Sequence, residues 1–311
     1  MTFEQLAIFV AVAEREHLTK AAASINLTPS AVSTAIKNLE HRYGVELFHR
    51  VGRRIELTES GRIFLSESKT LLARARATEL VLSELGGMQR GTLSVFASQT
   101  IASYWLPSRL MRFHASHPGI DLNLTIGNTR TVADAVINGE ADVGFVEGDL
   151  DEPALAASVI DQDELVVVVA ATHPWAGAKT LAASDLTTAR WVMREVGSGT
   201  RSVFEHALAK IGVNSEDLNV AMVLPSNEAI LSALKDSICA AAVSRLAAQQ
   251  HIEAGKLIEI NFCRPIREFR LLRHKERHSS KASLRLIEMC RHSAQSSSSA
   301  TTVAANYVPA R

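Results

Sequence analysis

The stretch LAIFVAVAEREHLTKAAASINLTPSAVSTAIKNLEHRYGVELFHRVGRRIELTESG, residues 6–61, decides how the first part of this chain folds. Leu6, Phe9, Val10 and Ala13 recur at helical spacing, so residues 3–15 read as an amphipathic helix. Thr19 is a candidate N-cap for a short second helix ending at Ile25, which Ala21, Ala22 and Ala23 keep slim. Asn26-Leu27-Thr28 breaks that helix. Pro29 suits the first turn of a third one, where its missing N–H would have no helical partner anyway. Val32, Ile36, Leu39 and Tyr43 give the third helix its apolar stripe, and Gly44 ends it in a left-handed cap. Leu47–Arg50 and Ile55–Leu57 flank the turn Val51-Gly52-Arg53-Arg54, the pattern of a small basic hairpin. Thr58 then caps a long helix, Glu59 to Leu85, which Gly86-Gly87 stops. Its extended apolar stripe calls for a partner helix.

Two helices joined by a short turn, the second opening on small polar side chains, describe a helix-turn-helix. Ser30, Ser33, Thr34 and Lys37 fall opposite the apolar stripe of the third helix, with Thr28 and Pro29 at its start. Short hydroxyls at a helix N-terminus permit close approach to base edges and phosphates. Arg50, Arg53 and Arg54 would lie alongside as a wing, neutralising phosphates or entering a minor groove. Taken residue by residue, an ordinary three-helix cap with a solvated arginine cluster stays open.

The whole chain bounds the function further. At 311 residues it exceeds one ordinary domain, and 47% apolar with 21% charged residues is a globular composition. Its net charge of zero hides a split: residues 1–90 carry +2, residues 91–263 carry −9 and residues 264–311 carry +7. The middle should avoid polyanions, while either end could meet them. The basic 264–292 stretch reads either as a solvated face or as an auxiliary nucleic-acid contact. Cys239, Cys263 and Cys290 are odd in number and far apart, which fits no disulfide framework and no zinc spacing. The opening MTFEQLAIFVAVAEREHL lacks a basic leader before an apolar core, and LVVVVAA (165–171) falls far short of the ~20 residues a membrane helix needs. A cytoplasmic protein without membrane contact is expected. No G-x-S-x-G, H-E-x-x-H, P-loop or G-x-G-x-x-G occurs, so no enzyme, cofactor, catalytic or metal residue is expected. A lone His173 before Pro174-Trp175 reads as structural, and Asp161, Asp163 and Glu164 read as a solvated turn.

From Gly91 strands and helices alternate. Strands are expected at 92–98, 121–127, 142–148, 165–171, 191–195, 218–224, 239–244 and 267–274. Helices are expected up to Phe113, over 132–138, 200–211 and 227–235, and from Lys281 to Arg291. The tail 293–311, rich in Ser, Ala and Thr, reads as disordered. Four strand-to-helix turns are rich in hydroxyls or glycine: Ser98-Gln99-Thr100, Asn128-Thr129, Gly197-Ser198-Gly199-Thr200-Arg201 and Pro225-Ser226-Asn227-Glu228. Each alone is a simple N-cap. Several meeting at the carboxyl ends of strands would form a small-anion site needing no lysine.

The N-terminal features together resemble the DNA-binding domain of LysR-type transcriptional regulators. They are Phe9, Thr19-x-Ala21-Ala22, Thr28-Pro29-Ser30-Ala31-Val32-Ser33, Ile36-x-x-Leu39-Glu40, Gly44-x-x-Leu47-Phe48-x-Arg50 and Leu57-Thr58-x-x-Gly61. The resemblance implies an all-α winged helix-turn-helix with a long linker helix, then a C-terminal α/β periplasmic-binding-protein-like effector domain of two subdomains. The corresponding boundaries are 1–58, 59–88 and 91–292, before the tail. It further implies double-stranded DNA and a small-molecule or inorganic anion effector as partners, with homodimers formed through the linker helix and assembled as a homotetramer. DNA contacts map to Thr28, Pro29, Ser30, Ser33, Thr34, Lys37, Arg50, Arg53 and Arg54. Effector contacts map to Ser98, Gln99, Thr100, Asn128, Thr129, Ser198, Thr200 and Asn227, with Arg201 a further choice unless it pairs with Glu205. The Ser-Gln-Thr and Gly-Ser-Gly-Thr-Arg turns look similar to members tuned to inorganic anions or to assimilatory metabolites of sulfur or carbon. Two departures stand out. Thr34 replaces an arginine common after the recognition-helix serine, and Ser237-Ile238-Cys239 replaces a Gly-x-Gly segment, so the crossover between subdomains should differ. Cys239 reads as a buried inert thiol. The competing reading is a cytosolic small-molecule-binding protein of periplasmic-binding type, without DNA binding, whose N-terminal helices only dimerise it. The arginine wing and the Ser33/Lys37 face would serve no purpose there.

Overall fold

The computed structural model describes residues 1–51, 54–85, 91–148, 150–177, 181–262 and 264–291, with backbone alone at Arg54, Leu80 and Glu84. Arg53, Cys263, the Gly86-Gly87 stop and the 293–311 tail lie outside the described residues. Two compact units divide the chain near Gly86.

The first unit opens with helix α1 (Phe3–Arg15), capped by Thr2, whose hydroxyl accepts from the Gln5 amide. Helix α2 (Leu18–Ser24) starts one residue before the expected cap: His17 Nδ1, not Thr19, accepts from the Lys20 amide. Helix α3 (Pro29–Tyr43) begins where Thr28 Oγ1 accepts from the Ala31 amide at 3.2 Å, and ends at Gly44 with φ +64°. Strands β1 (Phe48–Val51) and β2 (Arg54–Leu57) pair antiparallel as the expected hairpin, and helix α4 spans Glu59–Leu85. Phe9 is fully buried between Phe48 and Phe64, with ring centroids 5.5 and 4.7 Å away, so one side chain joins α1, the hairpin and α4. Burying such a side chain contributes about 1.5–3 kcal/mol. Gly61 has a steric cause: a Cβ there would sit 2.1 Å from the Leu47 carbonyl oxygen. That carbonyl accepts from the Thr58 amide, and Thr58 Oγ1 accepts from the Gly61 amide at 2.9 Å, which locks the hairpin onto the start of α4.

The second unit contains strands β3 (Gly91–Ser98), β4 (Ile120–Gly127), β5 (Val143–Glu147), β6 (Leu155–Ala170), β7 (Arg190–Arg194), β8 (Asn219–Leu224), β9 (Cys239–Ser244), β10 (Leu257–Ile260) and β11 (Ile266–His274). Helices α5 (Pro107–Ser116), α6 (Thr129–Asn138), α7 (Ala183–Thr188), α8 (Gly199–Lys210), α9 (Asn227–Leu234), α10 (Arg245–Glu253) and α11 (281–291) connect them. The strand order is β4-β3-β5-β11-β6-β9-β7-β8, with β10 also on β6. Parallel pairs join β3 to β4 and β5, and β7 to β8 and β9. Strand β6 is far longer than the apolar run 165–171. Its first part, Leu155–Glu164, pairs with β11, and Leu165–Val169 pairs with β9. One strand therefore runs through both halves, each with its own core, around Phe113 and Phe145 in the first and Trp191 and Phe204 in the second.

A π-helical turn, Ile101–Trp105, interrupts the expected helix before Phe113, and Pro107 restarts it as α5. The substituted segment Ser237-Ile238-Cys239 has no positive φ. Instead the Ser237 hydroxyl accepts from the Cys239 amide at 3.3 Å, and Cys239 is buried. In the basic 264–291 stretch Arg264, Arg273, Lys275, Lys281, Arg285 and Arg291 are exposed, as a solvated face would have them, and several of its cations have partners within the chain. Arg264 pairs with Glu259, Arg270 with Glu268 and Arg285 with Glu288, while Lys275 donates to the Pro153 carbonyl and Arg277 to the last carbonyls of α6. Much of the positive charge thus neutralises or caps the chain itself. Among the described residues no helix is long and apolar enough to cross a membrane.

Candidate functional site

Two places gather the residues singled out by sequence. The first is α3 and its flanks. The inward face of α3 buries Val32, Ile36 and Leu39. On the other side Thr28, Pro29, Ser30, Thr34 and Lys37 are exposed and Ser33 is half-buried. Thr28 and Ser30 hydroxyls lie 3.1 Å apart at the helix start, and within this unit nothing covers them. Glu40 Oε1 accepts from the Leu47 and Phe48 amides at 2.8 and 3.2 Å, which fixes the hairpin beside α3. Arg50 is exposed on β1, and Arg54 follows at the start of β2. The face is a row of short donors and one cation, with the positive end of a helix dipole behind it.

The second place is where the two halves of the α/β unit meet. Four helices or helical turns start here because four strands end here. Thr100 leads into the π-helical turn, Thr129 opens α6, Gly199-Thr200 open α8 and Asn227 opens α9. Ser98, Gln99, Thr100, Thr129, Ser198, Thr200 and Asn227 are all buried. Asn227 Nδ2 donates to Thr100 Oγ1 at 2.9 Å, and Gln99 Oε1 accepts from the Asn227 amide at 3.0 Å, joining the halves. Gln99 Nε2 donates to Glu228 at 2.6 Å, and Tyr104 donates to the same carboxylate at 2.7 Å; burial and Glu228 push the Tyr104 hydroxyl pKa up. Asn128 stands at the edge. Its Nδ2 reaches Glu195 at 3.4 Å, and it packs against Gly197, whose φ of +88° suits glycine. Arg201 pairs with Glu205 at 2.7 Å, as its spacing suggested, and also donates to the Arg194 carbonyl.

The centre is occupied by charges that sequence reasoning left out. Arg267 on β11 is fully buried. Its Nη2 and Nε donate to Asp163 at 2.6 and 3.0 Å, its Nη1 donates to Thr200 Oγ1 at 2.8 Å, and its Nη2 also donates to Thr100 Oγ1 at 3.2 Å. Glu147, at the end of β5, lies 3.4 Å from Arg267 and accepts from the Ser98 hydroxyl, while its carbonyl accepts from Thr129 Oγ1. Burial pushes the Glu147 pKa up, against the pull of Arg267 and Arg194. Arg194, also buried, forks onto Glu195 at 2.8 and 2.9 Å. Asp163 is therefore no part of a solvated turn. Its neighbours share this correction: Asp161 accepts from Trp105 Nε1 at 2.6 Å, and Glu164 meets Arg245 at 3.1 Å.

Buried polar atoms nearly always have partners. Within this cluster three lack one: Ser198 Oγ, Arg194 Nη1 and Asn227 Oδ1. Ser198 also makes no side-chain cap for α8. Two donors and one acceptor, with an uncapped helix N-terminus, suit a small polar guest. His173 has a structural place instead: it is buried, its Nδ1 accepts from the Trp175 amide at 3.0 Å, and burial pushes its pKa down. Among the described residues no cluster of ligating side chains has metal-binding geometry.

Comparison with known proteins agrees with this layout. Residues 3–62 match the model of bacterial regulatory helix-turn-helix proteins of the lysR family, and residues 86–295 match the LysR substrate binding domain. The chain is 33% identical to the HTH-type transcriptional regulator YeiE of Escherichia coli (strain K12), over 93% of this chain and 97% of the relative. It is 32% identical to a probable RuBisCO transcriptional regulator of Phaeodactylum tricornutum, over 90% and 93%. Among solved structures it resembles full-length CbnR complexed with its target DNA, with a TM-score of 0.69, 24% identity and coverage of 94% and 100% of the two chains.

Proposed function

This chain belongs to the LysR family of DNA-binding transcriptional regulators, and we propose how its residues divide that work. Residues 1–58 bind double-stranded DNA. Two copies of α3 enter successive major grooves, with Thr28, Pro29, Ser30, Ser33, Thr34 and Lys37 facing the duplex and Arg50, Arg53 and Arg54 on its backbone or in a minor groove. Residues 59–88 join the copies. On α4, Ile63, Leu71, Leu82 and Leu85 are exposed and fall on one face roughly 100° wide, the stripe a partner helix covers. Next to it lies a largely apolar groove of about 450 Å³ lined by Leu39, Tyr43, Val45, Ile63 and Phe64. Pairs of dimers form a homotetramer that acts in the cytoplasm.

Residues 91–292 sense the effector, a small anion held by Ser98, Gln99, Thr100, Asn128, Thr129, Ser198, Thr200 and Asn227. The observation that carries this reading is three buried, unpaired polar atoms among these elements: on Ser198 at the uncapped start of α8, on Arg194 at the end of β7 and on Asn227 at the start of α9. Thr100 and Asn227 come from opposite halves, so a ligand touching both biases the angle between the halves and, through it, the spacing of the DNA-binding units. A thermal-shift screen with sulfate, sulfite, phosphate, nitrate and small carboxylates tests the pocket. A ligand at a hundredfold its Kd stabilises by about 2.7 kcal/mol, and a flat screen counts against an anion. Lys37→Ala with Arg53→Ala tests the DNA face. The pair should weaken promoter binding and flatten its salt slope by about one unit each, and unchanged binding rejects the assignment.

A further inference from the structure

Resting on the anion reading above, we propose that the effector enters together with one proton, carried by Glu147, and that Ser98 reverses its hydrogen bond in the same step. Charge bookkeeping leads there. The cluster holds three carboxylates, Glu147, Asp163 and Glu195, and two guanidiniums, Arg194 and Arg267. One negative charge is in excess before any ligand arrives. An anion added to such a site, out of water, meets repulsion that solvent does not screen. Something must take up a positive charge.

The geometry singles out Glu147. Both hydrogen bonds from Arg267 to a carboxylate go to Asp163, at 2.6 and 3.0 Å, and Glu147 is left with a contact at 3.4 Å. Arg194 gives both arms of its fork to Glu195. Asp163 has a further donor in Ser244 at 2.7 Å. Glu147 is 1% exposed and has the weakest share of positive charge in the cluster. The groups around it can be followed element by element. Ser98 and Thr100 come from the end of β3 and beyond, Arg267 and Phe269 from β11, Asp163 from β6, Arg194 from β7, Thr129 from α6 and Gly199 from α8. The cations are Arg267 and Arg194, and Asp163 opposes them. Burial already pushes the Glu147 pKa up, and a neighbouring anion pushes it further.

The proton balance is simple. When Glu147 is ionised, Ser98 spends its hydroxyl hydrogen on Glu147 Oε2. When Glu147 takes a proton from solvent, that carboxyl O–H donates to Ser98 Oγ. The Ser98 hydrogen is then free for the anion. One proton per anion offsets the added charge and supplies a donor: an O–H bond forms on Glu147, the matching bond breaks in a hydronium or buffer acid, and no bond of the protein is broken.

Sulfate is the probe, because its own charge stays constant across the range, with sulfite, phosphate, nitrate and acetate run in parallel. Calorimetric titration of the full chain, between roughly pH 6 and pH 9 in buffers of different ionisation enthalpy, counts protons taken up. The expected result is proton uptake on binding and an affinity that falls with rising pH, by up to about tenfold per unit. Glu147→Gln keeps the shape and can donate to Ser98, so it should bind with a flat pH profile and, at alkaline pH, more tightly than the native chain. Equal slopes in both chains, or no proton uptake by the native chain, overturn the proposal and leave the anion pocket standing. If Glu147→Gln does not fold, the native proton count decides alone. If no anion binds at any pH, the pocket reading fails and this proposal falls with it.

Discussion

Replacing Arg267 with methionine should expose what its buried network contributes. The side chain is 0% exposed, and its partners Asp163, Glu147, Thr100 and Thr200 are internal. Methionine fills much of the same volume, so the loss is electrostatic rather than a cavity. Removing one partner of a buried ion pair costs about 3–5 kcal/mol, because the other charge stays buried without compensation. At about 2–4 °C per kcal/mol for a domain of this size, Tm should drop by roughly 6–20 °C. The deficit should also depend on pH. Without Arg267, Glu147 loses a pull that holds down a pKa already raised by burial. The folded variant then binds more protons than its unfolded form, so its stability declines as pH rises through that window. The gap to the native chain should be smallest in acid and widest in alkali. A second change, Asp163→Leu, removes the stranded charge and should return part of the loss. Calorimetric melts of the single and double variants across pH measure all of this. A deficit below about 1 kcal/mol, or one that pH leaves unchanged, refutes the reasoning.

Three further outcomes follow from other contacts. Gly61→Ala places a Cβ 2.1 Å from the Leu47 carbonyl oxygen, and should cost about 1–3 kcal/mol or more in denaturant melts of the N-terminal unit; a neutral result would mean the Leu47–Thr58 corner yields freely. Thr100→Ala and Thr200→Ala should each abolish ligand-dependent thermal stabilisation while sparing DNA affinity, and a retained response to the cognate ligand would show the pocket is misplaced. Ile63→Glu with Leu82→Glu puts charges on the exposed stripe of α4, and light scattering should report loss of the tetramer; an intact tetramer would place the interface elsewhere.

The N-terminal unit was legible because its signals are local. Pro29, Gly44, Thr58 and Gly61 each act within a turn of where they stand, and helix spacing orders the apolar residues between them. Helix α2 starts earlier than Thr19 because the His17 ring nitrogen reaches the Lys20 amide three residues on, as an N-cap side chain does. The hydroxyl turns of the pocket were legible for the same local reason. Its charges were not, since Asp163 and Arg267 meet across more than a hundred residues of sequence. A signal did exist. Arg267 is in phase with Phe269 and Leu271, and Asp163 with Leu165 and Val167, so strict alternation places both on buried faces. Reading Asp161-x-Asp163-Glu164 as a turn set that alternation aside. The length of β6 was hidden likewise, because its first half, LAASVIDQDE, has no steady alternation and bulges at Ile160, while its second half is continuously apolar.

The shared strand has a consequence for the architecture of the sensor. Glu164 lies opposite Ile266, and the Leu165 amide donates to the Pro265 carbonyl at 3.0 Å, so the chain leaves the first half and returns to it at a single doorway. Everything between is one uninterrupted guest set into a host, with entry and exit side by side. The buried cluster of hydroxyls and charges is the seam between them: Thr100, Glu147 and Arg267 come from the host and Thr200 and Asn227 from the guest, so neither piece carries it alone.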